Sequence, residues 1–295
     1  MFETDRLPAA ALRGSSQESA ASRGPDPVEE LARALRARYG DYDAPSLLEA
    51  MIGYEFAGWI AGVSSFGAEA AVLLDLIARI DRATPVIFLD TGKLFPETLD
   101  YRDALVERLG LTEVRIVVPD PATLAAHDPV GDLWRCIPDT CCHLRKVAPL
   151  ETALAGFDAW ITGRKRYQGG ERKALETIEA VGGRVKINPL AHWSRDDVKT
   201  YLVDHGLPRH PLAGRGFASI GCLPCTHRIK AGEAPRAGRW AGREKTECGI
   251  HGSPGMRSTA RHELDGPKAR RNAATNMSAA KRRHKHERGE TPPQT

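Results

Sequence analysis

Four of the six cysteines in this 295-residue chain fall in two close pairs. Cys141 and Cys142 are adjacent in DTCCHLRK, and Cys222 and Cys225 form a CxxC in GCLPCT. Neighbours bridge each other badly, because a disulfide needs Cα atoms about 4.4–6.8 Å apart and a particular S–S dihedral that an ordinary trans peptide resists. CxxC spacing points two sulfurs at one centre. Together the four thiolates could close a tetrahedral zinc site or hold an iron–sulfur cluster. Zinc sites usually draw on two CxxC knuckles, and an adjacent pair struggles to bring both sulfurs to one small ion. A cubane offers separate iron corners to neighbouring cysteines, so the cluster is the favoured reading.

The remaining thiols differ from each other. Cys136 fits no pattern and reads as an ordinary core or surface thiol. Cys248 lies in TECGIHG, with a glutamate before it and His251 three residues after. In such a polar, glycine-bearing segment a thiol can be exposed and held as thiolate by nearby cations, although a plain surface cysteine would look the same. Basic residues gather in neighbouring irregular segments: Lys146, Arg164, Lys165, Arg166, Arg236 and Arg239. Arginine forks pair bidentately with phosphate or sulfate, and RAGRW directly precedes the Cys248 segment. In VSSFGAEAAVLL, Ser64, Ser65 and Gly67 could offer hydroxyls and backbone N–H groups to a phosphate at a helix N-terminus. The GK[ST] of a Walker A loop is absent, and a plain helix cap would explain the serines equally well.

Positioning these groups falls to an alternation of strand and helix. GWIAGVS, PVIFLD, EVRIVV, DAWITG and RVKINPL read as strands. AEAAVLLDLIARID and PETLDYRDALVERLG read as helices between them, after PVEELARALRARYG (ending at Gly40) and APSLLEAMIGYEF. The expected fold class is α/β, a parallel twisted sheet with helices on both faces, which binds ligands at the carboxyl ends of its strands. SRDDVKTYLVDHG predicts a capped helix with Ser194 at its N-cap. Past about residue 208 the periodicity fades into loops rich in reactive side chains.

Three stretches follow from composition: a mobile lead over 1–27, a folded body over 28–252, and a basic tail over 253–295 expected to be disordered. Residues 252–295 hold ten Lys/Arg against four Asp/Glu, so the net charge of +4 belongs to the tail and the body is close to neutral. That tail lacks aromatic residues, which disfavours nucleic-acid binding. No run of about 18 apolar residues suggests a membrane span, and no basic-then-apolar leader suggests secretion. A reducing cytoplasm is the expected compartment, where clustered cysteines serve as ligands or catalytic thiols.

Taken in order, SSFGAEAAVLLDLI, FLDTGKLFPETLDY, CCHLRKVAPL, WITGRKRYQGG, INPLAHWSRDDV, ASIGCLPCT, RAGRW and ECGIHG resemble the assimilatory adenylyl-sulfate (APS) reductases, relatives of the phosphoadenylyl-sulfate (PAPS) reductases, over residues 45–252. The resemblance implies an adenine nucleotide alpha hydrolase-like fold with an irregular C-terminal catalytic arm. It implies a 4Fe-4S cluster on Cys141, Cys142, Cys222 and Cys225, and adenylyl sulfate as substrate. The nucleotide would meet Ser64, Ser65, Gly67, Leu89, Gly163 and Arg164. The sulfuryl group would meet Lys146, Arg236, Arg239 and His251, four groups expected to supply positive charge. Cys248 would attack sulfur, leaving a Cys-S-sulfonate for a separate thioredoxin to reduce, since no thioredoxin-like domain is appended. PAPS use and homo-oligomerisation stay open. Departures from the family pattern are Ala70 and Ala71, where the wider nucleotide-hydrolase loop has Asp-Ser, a shorter and less aromatic RWAGREKTECG, and the long tail. Rival readings are a tRNA-thiolating relative, which would need an intact ATP-pyrophosphatase loop, and a zinc-bearing nucleic-acid-binding protein.

Overall fold

Short runs of apolar residues, four or five long, form the centre of the computed structural model, which describes residues 26–252. Residues 1–25 of the lead and the basic tail lie outside the described residues, and the end of the lead as read from sequence, Pro27, already belongs to the first helix. Strands β1 (Ile60–Ser64), β2 (Val86–Leu89), β3 (Val114–Val117), β4 (Ala159–Thr162), β5 (Ile178–Val181) and β6 (Arg184–Ile187) make one sheet in the order β3-β2-β1-β4-β6-β5. Every residue of β1 and β4 is buried. Strands covered on both faces read as continuous apolar runs and not as an alternation, which is why these two stand out in the sequence.

The pairing is parallel throughout except at one edge, where β5 runs antiparallel to β6. β5 is not among the strands expected from the sequence; it adds one antiparallel edge to the expected parallel sheet. The cause is local: Gly182 and Gly183 take φ of 64° and 74°, the left-handed pair that closes a two-residue hairpin. The signal, Gly-Gly between IEAV and RVKI, is present in the sequence.

Helices α1 (Pro27–Tyr39), α2 (Ala44–Ala50), α3 (Ala70–Ile80), α4 (Pro96–Leu109), α5 (Pro121–His127), α6 (Leu133–Cys136), α7 (Pro138–Cys142), α8 (Ala148–Ala153) and α9 (Arg195–Asp204) follow the alternation. Their coverage of the sheet is uneven. α1 to α4 and α9 share the larger core with Ile60, Val86, Phe88, Ile161 and Ile187. The other face buries Ala61, Val63, Ile87 and Trp160 against Leu150, Leu154 and Phe157, in and after α8. Gly62 lets α3 lie close on β1: a Cβ there would stand 3.0 Å from Ile77 Cδ1. α9 opens with the expected box, Ser194 and Asp197 exchanging bonds between side chain and backbone N–H at 3.1 and 2.7 Å. α7 runs into α8 through a π-helical turn, His143–Val147; such turns recur at functional sites. Among the described residues no helix is long and apolar enough to cross a membrane.

Candidate active site

β1 has β2 on one side and β4 on the other, so successive crossovers leave in opposite directions and the strand ends part into a crevice, the usual ligand position in such sheets. A cavity of about 210 Å³ opens there. Ser64, Ser65, Gly67, Leu89, Lys146, Gly163, Arg164, Arg236, Arg239, Cys248 and His251 all line it. Residues spread over nearly 190 positions of sequence are thereby brought to one concavity.

The loop after β1 is fixed by packing. Phe66 has φ of 47°, an unusual value for a bulky residue. Its ring is fully buried, edge-on to Phe88 at 5.3 Å, and its N–H donates to Ser64 Oγ at 3.1 Å. Ser65 and Gly67 are left facing the cavity. A Cβ on Gly67 would come within 3.2 Å of Ile220 O, so the backbone is close against the facing loop. The serines do not cap α3, whose first residue is Ala70 and whose N-cap, Glu69, makes no side-chain cap bond. The plain-cap explanation of the serines is thereby removed.

Glu69 ties this loop to the one after β4. It accepts from Lys165 Nζ at 3.0 Å, from Gln168 Nε2 at 3.1 Å and from the Tyr167 hydroxyl. Burial works against its charge, but these partners, Lys165 foremost, hold the carboxyl below its ordinary range. Farther along, Glu179 takes Arg164 Nη2 at 2.8 Å and Lys186 Nζ at 3.1 Å. Glu247 takes both Arg172, at 2.5 and 2.9 Å, and Arg236. Apart from Lys165, Arg164 and Arg236, the sequence reading named none of these as site residues. Pairings such as Glu69–Lys165, 96 positions apart, and Glu247–Arg172, 75 apart, leave no local pattern to read.

The cations around the cavity fall into two groups. Arg164 and Arg236 are matched by carboxylates, and burial drives Arg236 down to about 10. Lys146 and Arg239 have no carboxylate partner among the described residues. Burial opposes the Lys146 charge, yet Cys222, Cys248 and Cys142 raise it above the ordinary lysine value. Arg239 lies over the Trp240 ring at 4.5 Å. These two are the charges left over for an incoming anion.

His251 corrects an expectation. Its ring stacks on Trp160, centroids 5.8 Å apart and planes within 3°, and its Nδ1 is sealed from solvent with no partner. Burial first, then Arg164, Lys186, Arg172 and Arg236, hold it well below the ordinary histidine value. It is a neutral imidazole at the cavity wall and adds no positive charge. Sequence spacing shows that a histidine follows the cysteine but not that four cations surround it.

The paired cysteines meet in a small adjoining pocket. Cys141, Cys142, Cys222 and Cys225 all line it, with Arg145, Lys146, Arg239 and Trp240. All four are buried, whereas Cys136 is exposed elsewhere. Cys141 and Cys142 end α7, and Lys146 follows one turn on, inside the π-helical segment. Burial pushes Cys141 up to about 11 and Cys142 up to about 12. Cys222 goes the other way: burial is outweighed by Lys146 and by the Thr91 hydroxyl at 3.3 Å. Arg145 Nε, Arg239 Nε and Trp240 Nε1 are buried N–H groups without partners, and all three residues line the same pocket. Buried donors rarely go unmatched, so this lining suits a bound group rich in acceptors. Among the described residues no three His, Cys, Asp or Glu side chains converge on a single metal ion. A mononuclear zinc site needs all its sulfurs about 2.3 Å from one point.

A cavity at the parting of a doubly wound sheet, walled by cations and by one half-buried cysteine, defines an α/β protein of nucleotide-binding architecture with a thiol at the rim. The chain belongs to the phosphoadenosine phosphosulfate reductase domain family, which matches residues 60–228. It is similar to the adenosine 5′-phosphosulfate reductase of Mesorhizobium japonicum, 52% identical over 226 residues, covering 77% of this chain and 89% of the relative. The adenosine 5′-phosphosulfate reductase of a Chelativorans species is 46% identical over 235 residues, covering 79% and 96%. Among solved structures, the phosphoadenylyl-sulfate reductase of Candida auris in its phosphate complex has a TM-score of 0.54 at 25% identity, covering 72% of this chain and all of that one.

Proposed function

We propose that the protein reduces adenylyl sulfate to sulfite and AMP, with a separate reduced thioredoxin as the electron source. One observation carries the reading: Cys248 lines the same strand-end cavity as Ser64, Ser65 and Gly67 on the nucleotide side and as the two unmatched cations, Lys146 and Arg239. The relatives at 46–52% identity bear the adenosine 5′-phosphosulfate reductase name, which favours adenylyl sulfate over its 3′-phosphorylated form.

The Cys248 thiolate attacks the sulfate sulfur, and the bond from that sulfur to the bridging oxygen breaks. The electron pair leaves with AMP, and a Cys-S-sulfonate remains. An anion attacking an anionic centre needs positive charge held in place beforehand; Lys146 and Arg239 supply it, with Arg236 beside them. Neutral His251 offers a ring nitrogen as a hydrogen-bond partner, with no proton to lose near neutral pH. A thiolate of reduced thioredoxin then attacks the cysteine sulfur and expels sulfite. Its second thiol resolves the mixed disulfide, so thioredoxin is oxidised and Cys248 returns as thiol. Cys141, Cys142, Cys222 and Cys225 would hold a 4Fe-4S cluster. Held there, it would supply concentrated negative charge beside Lys146, in a pocket lined by unmatched N–H donors.

The test is sulfite release from adenylyl sulfate and from the 3′-phosphorylated analogue, side by side, with reduced thioredoxin. Turnover is expected with the first and weak turnover with the second. Sulfite from neither substrate would overturn the reading.

A further inference from the structure

Of the ties that hold the C-terminal arm to the body, among them Lys245 to Asp139, Thr246 Oγ1 to Glu171 Oε1 at 3.1 Å and His251 stacked on Trp160, the one next to the thiol is a buried carboxylate. Glu247, the residue before Cys248, meets Arg172 fork to fork, Oε1 to Nε at 2.5 Å and Oε2 to Nη2 at 2.9 Å. Oε2 also lies 3.2 Å from Arg236 Nη2, and that nitrogen donates to Thr246 O at 2.8 Å. Both sides of the Arg172–Glu247 pair are nearly buried, at 10% and 13% exposure. Arg172 belongs to the loop after β4, so the pair joins the C-terminal arm to the sheet end that shapes the nucleotide cavity.

A second cavity, of about 650 Å³, lies on the other side of the arm. Glu247, Cys248 and His251 line both cavities. The thiol therefore sits in a partition, with the nucleotide space on one side and a wider space on the other. The proposed chemistry asks the same sulfur to meet two partners in turn, first a nucleotide and then a protein thiol.

Resting on the reaction proposed above, we propose that Glu247 is a positioning residue: its pair with Arg172 holds the Cys248 sulfur toward the nucleotide cavity, and loosening of that pair exposes the sulfur to the outer cavity, from which the thiol reductant reaches it. Arg236 has a part in the exchange. It lines the nucleotide cavity as well as meeting Glu247, so an arriving anion competes for it and leaves Arg172 as the remaining cation on Glu247.

The test is the rate at which iodoacetamide alkylates Cys248 in the full-length protein without nucleotide, followed at the peptide level. Glu247→Gln and Arg172→Met are both expected to raise that rate roughly tenfold or more, as befits the loss of a charge-assisted pair. The two substitutions change the charge beside the thiol in opposite senses. A purely electrostatic effect would move the two rates apart, and that result, or no change in either, would overturn the proposal. In Glu247→Gln, the single-turnover rate of Cys248 sulfonation should fall while AMP affinity stays within about twofold of wild type. A parallel fall in AMP affinity would make Glu247 a part of the binding site and also overturn it. Glu247→Asp, which keeps the charge, should lie between wild type and the amide variant in both readouts. The alkylation arm needs no substrate. Absence of sulfonation in the wild type would sink the reaction assignment alone, and the pin would then stand or fall on alkylation.

Discussion

Gly221 offers a way to move Arg239, a cation assigned a part in the proposed reaction, without deleting it. An added Cβ there would stand 2.2 Å from Arg239 Nη1 and 2.4 Å from Nη2, well inside any tolerated contact. The clash falls on the far end of a flexible side chain, so Gly221→Ala should fold normally while driving the guanidinium off its position over Trp240. Arg239 has no carboxylate among the described residues to guide it elsewhere. A hydrogen bond to a charged group contributes about 1.5–3 kcal/mol, and removal of a preorganised donor to developing negative charge costs roughly a hundredfold to a thousandfold in rate. Partial displacement should therefore cost roughly tenfold to a hundredfold in kcat/KM. The assay is sulfite release at saturating reductant, with thermal unfolding measured in parallel. Arg239→Gln should be slower still, and Gly221→Ala added to it should cost little more, because the two changes act on one group. Full activity in Gly221→Ala, or additive losses in the double variant, would refute the role given to Arg239. A large drop in Tm would show instead that Gly221 serves the fold.

Cys248→Ser should abolish sulfite release and leave AMP binding intact, as isothermal titration can show. Iron and acid-labile sulfide analysis of anaerobically purified protein should find a brown, cluster-loaded chain; Cys222→Ala should lose the iron and Cys136→Ala should keep it. A pH effect follows from Lys186, which is fully buried and pushed down to about 8 by burial ahead of Arg164. Its folded-state pKa lies below the unfolded value of 10.5, so between those values the unfolded chain binds more protons and stability rises with pH. The unfolding free energy of wild type minus that of Lys186→Met should accordingly grow by about 3 kcal/mol from pH 8 to 10.5 in denaturant titrations; a flat difference would mean that Lys186 keeps its proton.

Much of the fold was legible because burial on both faces writes itself into composition. β1 and β4 are continuous apolar runs, and α9, after the last strand, carries the capping box of Ser194 and Asp197. β5 is harder to read because its partly exposed residues make a weak apolar run, defined mainly by the Gly182–Gly183 turn that follows it. At the site, the two cysteine pairs and the Cys248 segment announced themselves by residue type and spacing; the strand-end cavity gathers Cys248 with Lys146, Arg164, Lys165, Arg236 and Arg239, and the adjoining pocket gathers the two pairs. Charge state was not legible in the same way. His251 reads as a cation from sequence and is held neutral in place, because burial against Trp160 and, after it, the charges of Arg164, Lys186, Arg172 and Arg236 disfavour its protonated form. The Glu247–Arg172 pair spans 75 positions, and the clearance that Gly221 gives Arg239 exists only once two loops are packed together. Residue type suggests which groups react, whereas burial and pairing decide which of them carry charge.

The central claim is that Cys248 becomes covalently sulfonated. Intact and peptide mass spectrometry of the cluster-loaded protein, incubated with adenylyl sulfate and no reductant, measures this directly. The expected result is one sulfonate on the Cys248 peptide, formed together with AMP and lost as sulfite when reduced thioredoxin is added. Sulfite formation in the full reaction with no label ever appearing on Cys248 would contradict it.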